Sequence, residues 1–350
     1  MATMQDVARL AGVSLSTVSY ALSGHRTVSA ATRERIVSAM EELGYQPNAM
    51  ARGLASRRSR VLALVYPAAE RGLGGTVAEF VSAAAEAARE KGHHLVLWPF
   101  RTDQADEVRD LVLQGMADGV LVMEVTLDDP RVTTLRDAGV PFTMIGRTRD
   151  VAGLPSVDVD FERTTREAVD HLVGLGHRHL AFVNHSEATA AEGYAPTFRA
   201  EEGFAAAVRA HGLEPVVRRV DESPQAGREA AAELLDRSPR PTAVVTMNEI
   251  ATFGVVAELQ QRGIGVPDEM SVLAIVTSPG VADMSNPPLT TMHSPGADLG
   301  RLAVATLLSQ VAGDPPPAAA TLIPCTLEPG RSVGPAPGAP PAPAGAEPHP

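Results

Sequence analysis

The 350-residue sequence predicts an α/β fold, in which a small helical N-terminal head precedes a larger body of parallel sheets covered by helices. Two patterns predict this class. Residues 1–45 contain three short helical stretches separated by turn and cap residues, and from Val61 onward short apolar runs alternate with alanine-rich helical stretches. Strands that are apolar throughout and are separated by helices are typical of parallel sheets buried on both faces.

The head begins with two helices joined by a tight turn. Thr3 and Asp6 predict a capping box at the start of the first helix. Residues 12–13 (Gly-Val) predict the turn, and Ser14 can cap a second helix over residues 15–22. A helix, a glycine turn and a second helix form the helix-turn-helix arrangement.

The second helix has two different faces. One face must pack on the other helices of the head, and the opposite face can enter the major groove of DNA, which is about 12 Å wide. The pattern predicts that the inward residues are Val18, Ala21 and Leu22, and that the outward residues are Leu15, Ser16 and Tyr20.

A third helix follows, and then a short segment that leads to the body. Ser29 can cap the third helix over residues 30–43, which Gly44 ends. Asn48 can cap one further helix over residues 49–54. The apolar face predicted for the third helix contains Ile36, Val37, Met40 and Leu43.

Charge is distributed unevenly along the chain. Residues 1–60 contain eight Arg and four acidic residues, a net charge of +4, whereas the whole chain has a net charge of −12. The remaining 290 residues therefore carry −16. A basic head on an acidic body favours nucleic acid as the partner of the head alone.

The body contains eight apolar runs that predict strands. Two parallel sheets of ordinary size would account for residues 61–333, and the Pro/Ala-rich segment 334–350 is predicted to be disordered. The predicted strands lie at 61–67, 93–100, 119–125, 141–147, 156–160, 179–185, 243–247 and 271–276.

Composition also limits the compartment and the chemistry. No apolar run reaches the roughly 18 residues that a membrane span needs, and residues 1–12 do not have the pattern of a secretory signal, so we expect a cytoplasmic protein without a membrane partner. The single cysteine, Cys325, excludes an internal disulfide and a zinc site built from cysteines.

The head resembles that of the lactose/galactose repressor family. Residues 4–24 read MQDVARLAGVSLSTVSYALSG, and residues 28–54 read VSAATRERIVSAMEELGYQPNAMARGL. The family's heads read D-V-A-x-x-A-G-V-S-x-x-T-V-S, then V-S-x-x-T-R-x-R-I, then L-G-Y-x-P-N-x-x-A-R-x-L. The resemblance implies a homodimeric transcriptional regulator, with repression as the expected effect, that binds a pseudo-palindromic double-stranded operator.

The resemblance also assigns roles to individual positions of this sequence. Residues 1–46 would form the helix-turn-helix head, and residues 47–60 would form a hinge helix and linker that orders on DNA. Leu54 would wedge into the minor groove at a central base step. The positions that match base contacts are Leu15, Ser16 and Tyr20; those that match backbone contacts are Ser14, Thr17, Ser19 and Ser29; those of the hinge are Asn48, Ala51, Arg52 and Leu54.

Two head positions depart from the family pattern. The family often has Arg where this chain has Tyr20, and Asn where it has Ser23. Arg can bind guanine with two hydrogen bonds, a contact that discriminates by about 1–3 kcal/mol, whereas Tyr cannot. The outer bases of the operator therefore cannot be inferred from relatives.

The body resembles the family's regulatory core, which is similar to periplasmic sugar-binding proteins. This implies two Rossmann-like subdomains flanking a cleft, with the chain crossing between them near 158–160, 284–290 and 314–320. An effector in this cleft would change the closure of the subdomains, and with it the spacing of the two heads of a dimer.

The candidate effector-binding residues are Arg147, Asp160, Phe161, Arg199, Asn248 and Val276. For Arg147, Asp160 and Asn248 the alternative is a role as strand-end cap or hinge residue. Several positions differ from sugar-binding members: Val276 replaces an Asp, Ala200 an Arg, Val77 an aromatic residue and Phe161 an Asn. A carbohydrate is the family's default effector, and these losses suggest a changed specificity or a less polar ligand.

Two other classes share parts of this pattern. A Rossmann-type oxidoreductase is one, because residues 72–75 (GLGG) follow the first strand, but Val77 stands where the third glycine of the dinucleotide fingerprint belongs. The other class is the solute-binding proteins of transport, but a protein of that class would have no use for the helix-turn-helix head. We therefore expect no catalytic residue, metal site or cofactor; His171, His177 and His179 match a structural landmark of the family.

Overall fold

The structure is a computed structural model, and it describes residues 2–23, 28–45, 58–67, 74–100 and 105–338. It contains a three-helix head and a body of two subdomains, each built on a six-stranded sheet. The predicted fold class is therefore confirmed. Each of the eight predicted apolar runs corresponds to one strand.

The head consists of α1 (Met4–Ala11), α2 (Leu15–Ser23) and α3 (Ala30–Leu43). The capping box forms as predicted, because the side chain of Thr3 accepts a hydrogen bond from the amide of Asp6 and the Asp6 carboxylate accepts one from the amide of Thr3. Gly12 ends α1 with φ of 63°, a left-handed conformation that favours glycine.

A small apolar cluster holds the three helices of the head together. Val18 of α2 is fully buried in it, and Arg33 of α3 donates a hydrogen bond to the carbonyl of Ala21 at 3.3 Å. The prediction for Val37 was wrong: it is exposed, because Ile36 faces the core and the next helical position points about 100° away from it. The side chain of Leu22 lies outside the described part of the chain. The buried members are Val7, Ala8, Ala11, Val18, Ala21, Ile36 and Ala39.

The first subdomain has the strand order β11-β5-β4-β3-β1-β2, with every pair parallel. Its strands are β1 (Val61–Tyr66), β2 (His94–Pro99), β3 (Gly119–Val122), β4 (Phe142–Ile145), β5 (Ser156–Val159) and β11 (Thr321–Ile323). Its helices are α4 (Gly75–Glu90), α5 (Ala105–Leu113), α6 (Pro130–Asp137) and α13 (Gly296–Ala312).

The second subdomain has the order β12-β10-β9-β8-β6-β7 and is parallel except for β12, which pairs antiparallel with β10. Its strands are β6 (Leu180–Asn184), β7 (Val216–Arg219), β8 (Ala243–Thr246), β9 (Ser271–Thr277), β10 (Thr290–His293) and β12 (Thr326–Glu328). Its helices are α7 (Phe161–Gly174), α8 (Glu187–Ala191), α9 (Ala195–Ala210), α10 (Pro224–Leu235), α11 (Glu249–Gln261) and α12 (Pro279–Ala282).

The chain passes between the sheets three times. The first passage is at Asp160, between β5 and α7. The predictions of 284–290 and 314–320 for the other two were wrong. β10 stays paired with β9 through His293, so the second passage is at residues 294–295; β11 is still in the first sheet, so the third is at residues 324–325.

The prediction that residues 334–350 are disordered was wrong for residues 334–338. The carbonyl of Gly334 lies 3.0 Å from Nε2 of the buried His177, and the amide of Ala336 donates to the carbonyl of Leu175 at 2.9 Å. These contacts fix the segment to the second subdomain. Residues 339–350 lie outside the described part of the chain.

The end of the predicted linker is fixed to the first subdomain. The carboxylate of Asp118 accepts hydrogen bonds from the amides of Ser59 and Arg60 at 2.6 and 2.9 Å. Arg58 donates to the carbonyl of Val311 at 3.2 Å. Across the described ranges of the chain, no helix combines the length and the apolar character that crossing a membrane requires.

Candidate functional site

The first candidate site is the outer face of α2. Val18 and Ala21 are buried, whereas Leu15, Ser16 and Tyr20 are exposed, with Leu15 and Tyr20 at 49% and 37%. The sequence therefore predicted both faces of this helix correctly at the five positions that the structure describes.

Hydroxyl groups gather at the N-termini of α2 and α3. The Ser14 hydroxyl accepts a hydrogen bond from the amide of Thr17 at 3.1 Å and lies 2.8 Å from the hydroxyl of Ser16. Ser29 caps α3 in the same way, accepting from the amide of Thr32 at 3.3 Å. Helix N-termini carry partial positive charge and can hold a phosphate.

The remaining residues predicted to contact DNA lie on α2 or in the hinge. Thr17 and Ser19 are partly exposed on α2. The hinge positions Asn48, Ala51, Arg52 and Leu54 lie outside the described residues.

The second candidate site is a cleft of about 320 Å³ between the two sheets. Residues that follow strands of both sheets line it, as expected for α/β proteins, in which ligands bind outside the carboxyl ends of the strands. The lining residues are Tyr66, Gly74, Thr76, Val77, Phe80, Met123, Glu124, Val125, Ile145, Gly146, Asp158, Val159, Phe161, His185, Tyr194, Pro196, Glu222, Met247, Asn248, Glu249, Ile250, Val276 and Leu299.

Two cleft residues have unusual backbone conformations. Glu124 follows β3 with φ of 53°, and Val276 lies at the end of β9 with φ of 54°. Left-handed φ is uncommon for a residue other than glycine and is strained for a β-branched one. Such strain concentrates at functional sites, and here it occurs on both walls of the cleft.

A buried ion pair supports the strained turn at Glu124. Nη2 of Arg131 lies 2.9 Å from the carbonyl of Glu124 and 2.6 Å from Oδ2 of Asp129, and both charged side chains are fully buried. Oδ2 of Asp129 also accepts the amide of Thr126 at 3.2 Å. The pair therefore fixes the backbone on both sides of Val125.

The same turn contacts the second subdomain. The amide of Ala195 donates to the carbonyl of Val125 at 3.2 Å, and the amide of Leu127 donates to the carbonyl of Gly193 at 2.8 Å. The hydroxyl of Tyr194 donates to Oε1 of Glu124 at 3.1 Å. These bonds join the two walls of the cleft.

A second connection between the subdomains involves Thr76 of α4. Its hydroxyl donates to the carboxylate of Glu249 and accepts the amide of Ser278 at 3.1 Å. Burial raises the pKa of the Glu249 carboxyl above its ordinary value, and the hydrogen bond from Thr76 opposes this rise. Thr76 thus contacts two elements of the opposite wall.

Three of the predicted effector-binding residues line the cleft: Phe161, Asn248 and Val276. Asn248 is buried, and its amide group has structural partners. Its Oδ1 accepts the amide of Ala251 at the start of α11, and its Nδ2 donates to the carbonyl of Val220 at 3.2 Å. This is the strand-end cap that the sequence left open as its alternative role.

The other three predicted residues do not line the cleft. Nε of Arg147 donates to Oδ2 of Asp158 at 2.9 Å. Arg199 donates to the carbonyls of Arg147 and Thr148 at 2.9 and 3.0 Å. Asp160 caps α7 by accepting the amide of Arg163. Burial raises the pKa of the Asp158 carboxyl, and its bond to Arg147 partly offsets this rise.

Sequence reasoning missed most of the polar lining residues. Nδ1 of His185 lies 2.8 Å from Oε1 of Glu222, close to the Thr76–Glu249 pair. His185 is the last residue of the predicted strand run 179–185, and Glu249 is the second residue after the run 243–247, so the strand-end rule could have found both. Glu222 and Tyr194 lie in connections whose sequence carries no comparable signal.

The surroundings of Cys325 do not activate its thiol for catalysis. It is buried, and burial raises the pKa of its thiol to about 12. The described residues contain no group of three or more His, Cys, Asp or Glu side chains arranged to hold a metal ion. His177 is buried between the hydroxyl of Thr242 and the carbonyl of Gly334.

We expect Cys325 to resist alkylation in the native protein. Because its pKa lies far above 8, the thiol stays protonated at pH 8 and lacks the nucleophilic thiolate. Iodoacetamide labelling followed by mass spectrometry should show almost no adduct in the native protein and complete labelling in denaturant. Rapid native labelling at pH 8 would contradict this placement.

Comparisons with known proteins match both the head and the body. Residues 3–48 match the model of bacterial regulatory proteins of the lacI family, and residues 169–333 match that of the periplasmic binding protein-like domain. The transcriptional regulator CelR of Thermobifida fusca is 32% identical over 323 residues, which cover 89% of this chain and 92% of that protein.

Two solved structures are similar over nearly the whole chain. A CelR–cellobiose complex is 28% identical with a TM-score of 0.70, covering 95% of this chain and 100% of that one. A Lac repressor dimer bound to operator and the anti-inducer ONPF is 25% identical with a TM-score of 0.81, covering 95% and 99%.

A helix-turn-helix head joined to a two-subdomain body with a cleft between its sheets defines a transcriptional regulator that contains its own ligand-binding unit. The chain belongs to the lacI family of bacterial regulatory proteins. This family agrees with the expectation that the chain is a regulator and not a Rossmann-type oxidoreductase.

Proposed function

We propose that this regulator represses transcription from the cytoplasm, binding a pseudo-palindromic operator as a homodimer under the control of a small molecule in the cleft. The observation that carries the proposal is that the cleft walls belong to different subdomains, and that hydrogen bonds at Thr76, Tyr194 and Arg199 connect one wall to the other. A ligand that changes these contacts would change the relative placement of the subdomains.

For the DNA contact we propose that Leu15, Ser16 and Tyr20 face base edges. The hydroxyls of Ser14, Thr17, Ser19 and Ser29 would contact phosphates, and residues 47–60 would supply the hinge, with Leu54 as the wedge. The relatives support this assignment, since the Lac repressor structure is a dimer on operator. A solute-binding protein would leave the exposed face of α2 without a role.

For the effector, a carbohydrate is the class that the family suggests, since CelR was solved with cellobiose. Phe161, Asn248 and Val276 are the predicted residues that we place at its site. Mobility-shift titration of the full chain on DNA from the promoters of its neighbouring genes, with and without candidate sugars, tests the proposal. No specific binding at low salt would reject it.

We expect Tyr20→Arg to change which operator is preferred without changing the fold. Arg at this position can bind guanine bidentately, a contact worth about 1–3 kcal/mol of discrimination, so guanine should be enriched symmetrically in both half-sites. Selection from a randomised operator library measures this, with Tyr20→Phe as the matched control. Identical selected sequences for wild type and Tyr20→Arg would show that position 20 does not read bases.

A further inference from the structure

The floor of the cleft is apolar and continuous with the main hydrophobic core. Phe80, Met123, Val159, Phe161 and Leu299 line the cleft and belong to the core cluster that spans both sheets. Val276 packs against this cluster, as does Val77. A ligand that reaches the floor must therefore present apolar surface to it, since unpaired hydroxyls buried there would lose their hydrogen bonds with water.

The charged groups of the described lining are almost all hydrogen-bond acceptors. They are the carboxylates of Glu124, Asp158, Glu222 and Glu249, together with the imidazole of His185. Ionised carboxylates only accept hydrogen bonds. Each already has a partner in the structure, so a ligand would add to these bonds or replace them by donating hydrogen bonds of its own.

The two predicted arginines, Arg147 and Arg199, have partners within the protein. Arg147 pairs with Asp158, and Arg199 donates to two backbone carbonyls of the opposite subdomain. Neither lines the cleft, and no Lys or Arg is present among the lining residues that the structure describes. An anionic ligand would face carboxylates there, and the described arginines beside them, Arg147 and Arg199, are already paired with Asp158.

We propose that the effector is an amphiphilic molecule that contains an apolar ring system. The ring system would lie against the floor of the cleft, and a hydroxyl or amino group would donate hydrogen bonds to the lining carboxylates. This inference rests on the proposed function and keeps its control by a small molecule in the cleft. It differs in the effector, which would be a less polar compound than an unsubstituted sugar. It disfavours anionic effectors such as sugar phosphates.

Calorimetric titration of the full chain with four probes tests the inference. Three share one apolar body and differ in the polar group: 2-(1-naphthyl)ethylamine, 2-(1-naphthyl)ethanol and 1-naphthylacetate; the fourth is cellobiose. We expect the amine to bind tightest, the alcohol next, and the acid at least about tenfold more weakly than the amine. Tighter binding of the acid or cellobiose, or no naphthyl binding up to about 10 mM, overturns the proposal.

Two variants test whether the probes bind in the cleft. Glu249→Gln should reduce the preference for the amine over the acid, because it removes one negative charge from the lining. Val77→Trp should fill the cleft and abolish binding, with an unchanged circular dichroism melt as its folding control. An unchanged preference in Glu249→Gln contradicts the role of the carboxylates.

The outcomes separate the effector class from the function itself. If cellobiose or the acid binds best and Val77→Trp abolishes that binding, the cleft is the effector site and only the proposed class is wrong. If the folded Val77→Trp protein binds every probe as well as the wild type does, the cleft is not the binding site and the proposed function fails with it.

Discussion

Val18→Asp is expected to abolish operator binding while leaving the body folded. Val18 is fully buried in the apolar cluster of the head, between α2 and the two other helices. A carboxylate there has no described partner and must be desolvated, which costs roughly 4 kcal/mol or more, comparable to the whole stability of so small a unit. The helix that presents Leu15 and Tyr20 then loses its support.

Fluorescence anisotropy with labelled operator measures the effect, which should exceed about 100-fold in Kd, equivalent to about 2.7 kcal/mol. Val37→Asp is the matched control, because it places the same charge on an exposed valine of the same head. The control should bind with nearly the affinity of the wild type. Operator binding by Val18→Asp at wild-type affinity would refute the arrangement of the head.

Arg131→Met is expected to lower the free energy of unfolding by about 3–5 kcal/mol, because it leaves the fully buried carboxylate of Asp129 without its cation. Arg131 also donates to the carbonyl of Glu124, so the variant removes the support of the strained turn in the cleft. Urea unfolding followed by circular dichroism measures the loss.

The double variant Arg131→Met/Asp129→Leu should recover most of this loss, since no unpaired charge remains buried. A deficit of about 1 kcal/mol should persist, because Asp129 caps α6. Arg136→Met is the control: its ion pair with Asp137 is exposed and should contribute less than about 1 kcal/mol. A double variant less stable than either single variant would contradict the account.

Local signals were sufficient to predict the head. Thr3, Gly12, Ser14 and Ser29 act within one helical turn, so their cap roles follow from neighbouring residues alone. The eight predicted strand runs were equally readable, since most of their residues are apolar. By contrast, β11 and β12 have three residues each, are largely exposed, and form only because the chain passes beside existing sheets.

The sequence predicted the position of the cleft but not most of the residues that line it. Strand ends marked where it lies, yet the partner of each polar side chain depends on residues distant in sequence. Arg199 contacts backbone 51 and 52 residues away, and Thr76 reaches Glu249, 173 residues away. No pattern within one segment indicates such pairs, and for this reason Arg147 and Arg199 were candidates for ligand contact, whereas the structure pairs them within the protein.

The central claim is that this chain reads a symmetric DNA site through α2. The most direct measurement is a mobility-shift titration of the full chain on a palindrome obtained by selection, beside the single half-site. The account predicts one complex containing two chains per palindrome and much weaker binding to the half-site. Equal affinity for the half-site and the palindrome, or no specific complex at low salt, would contradict it.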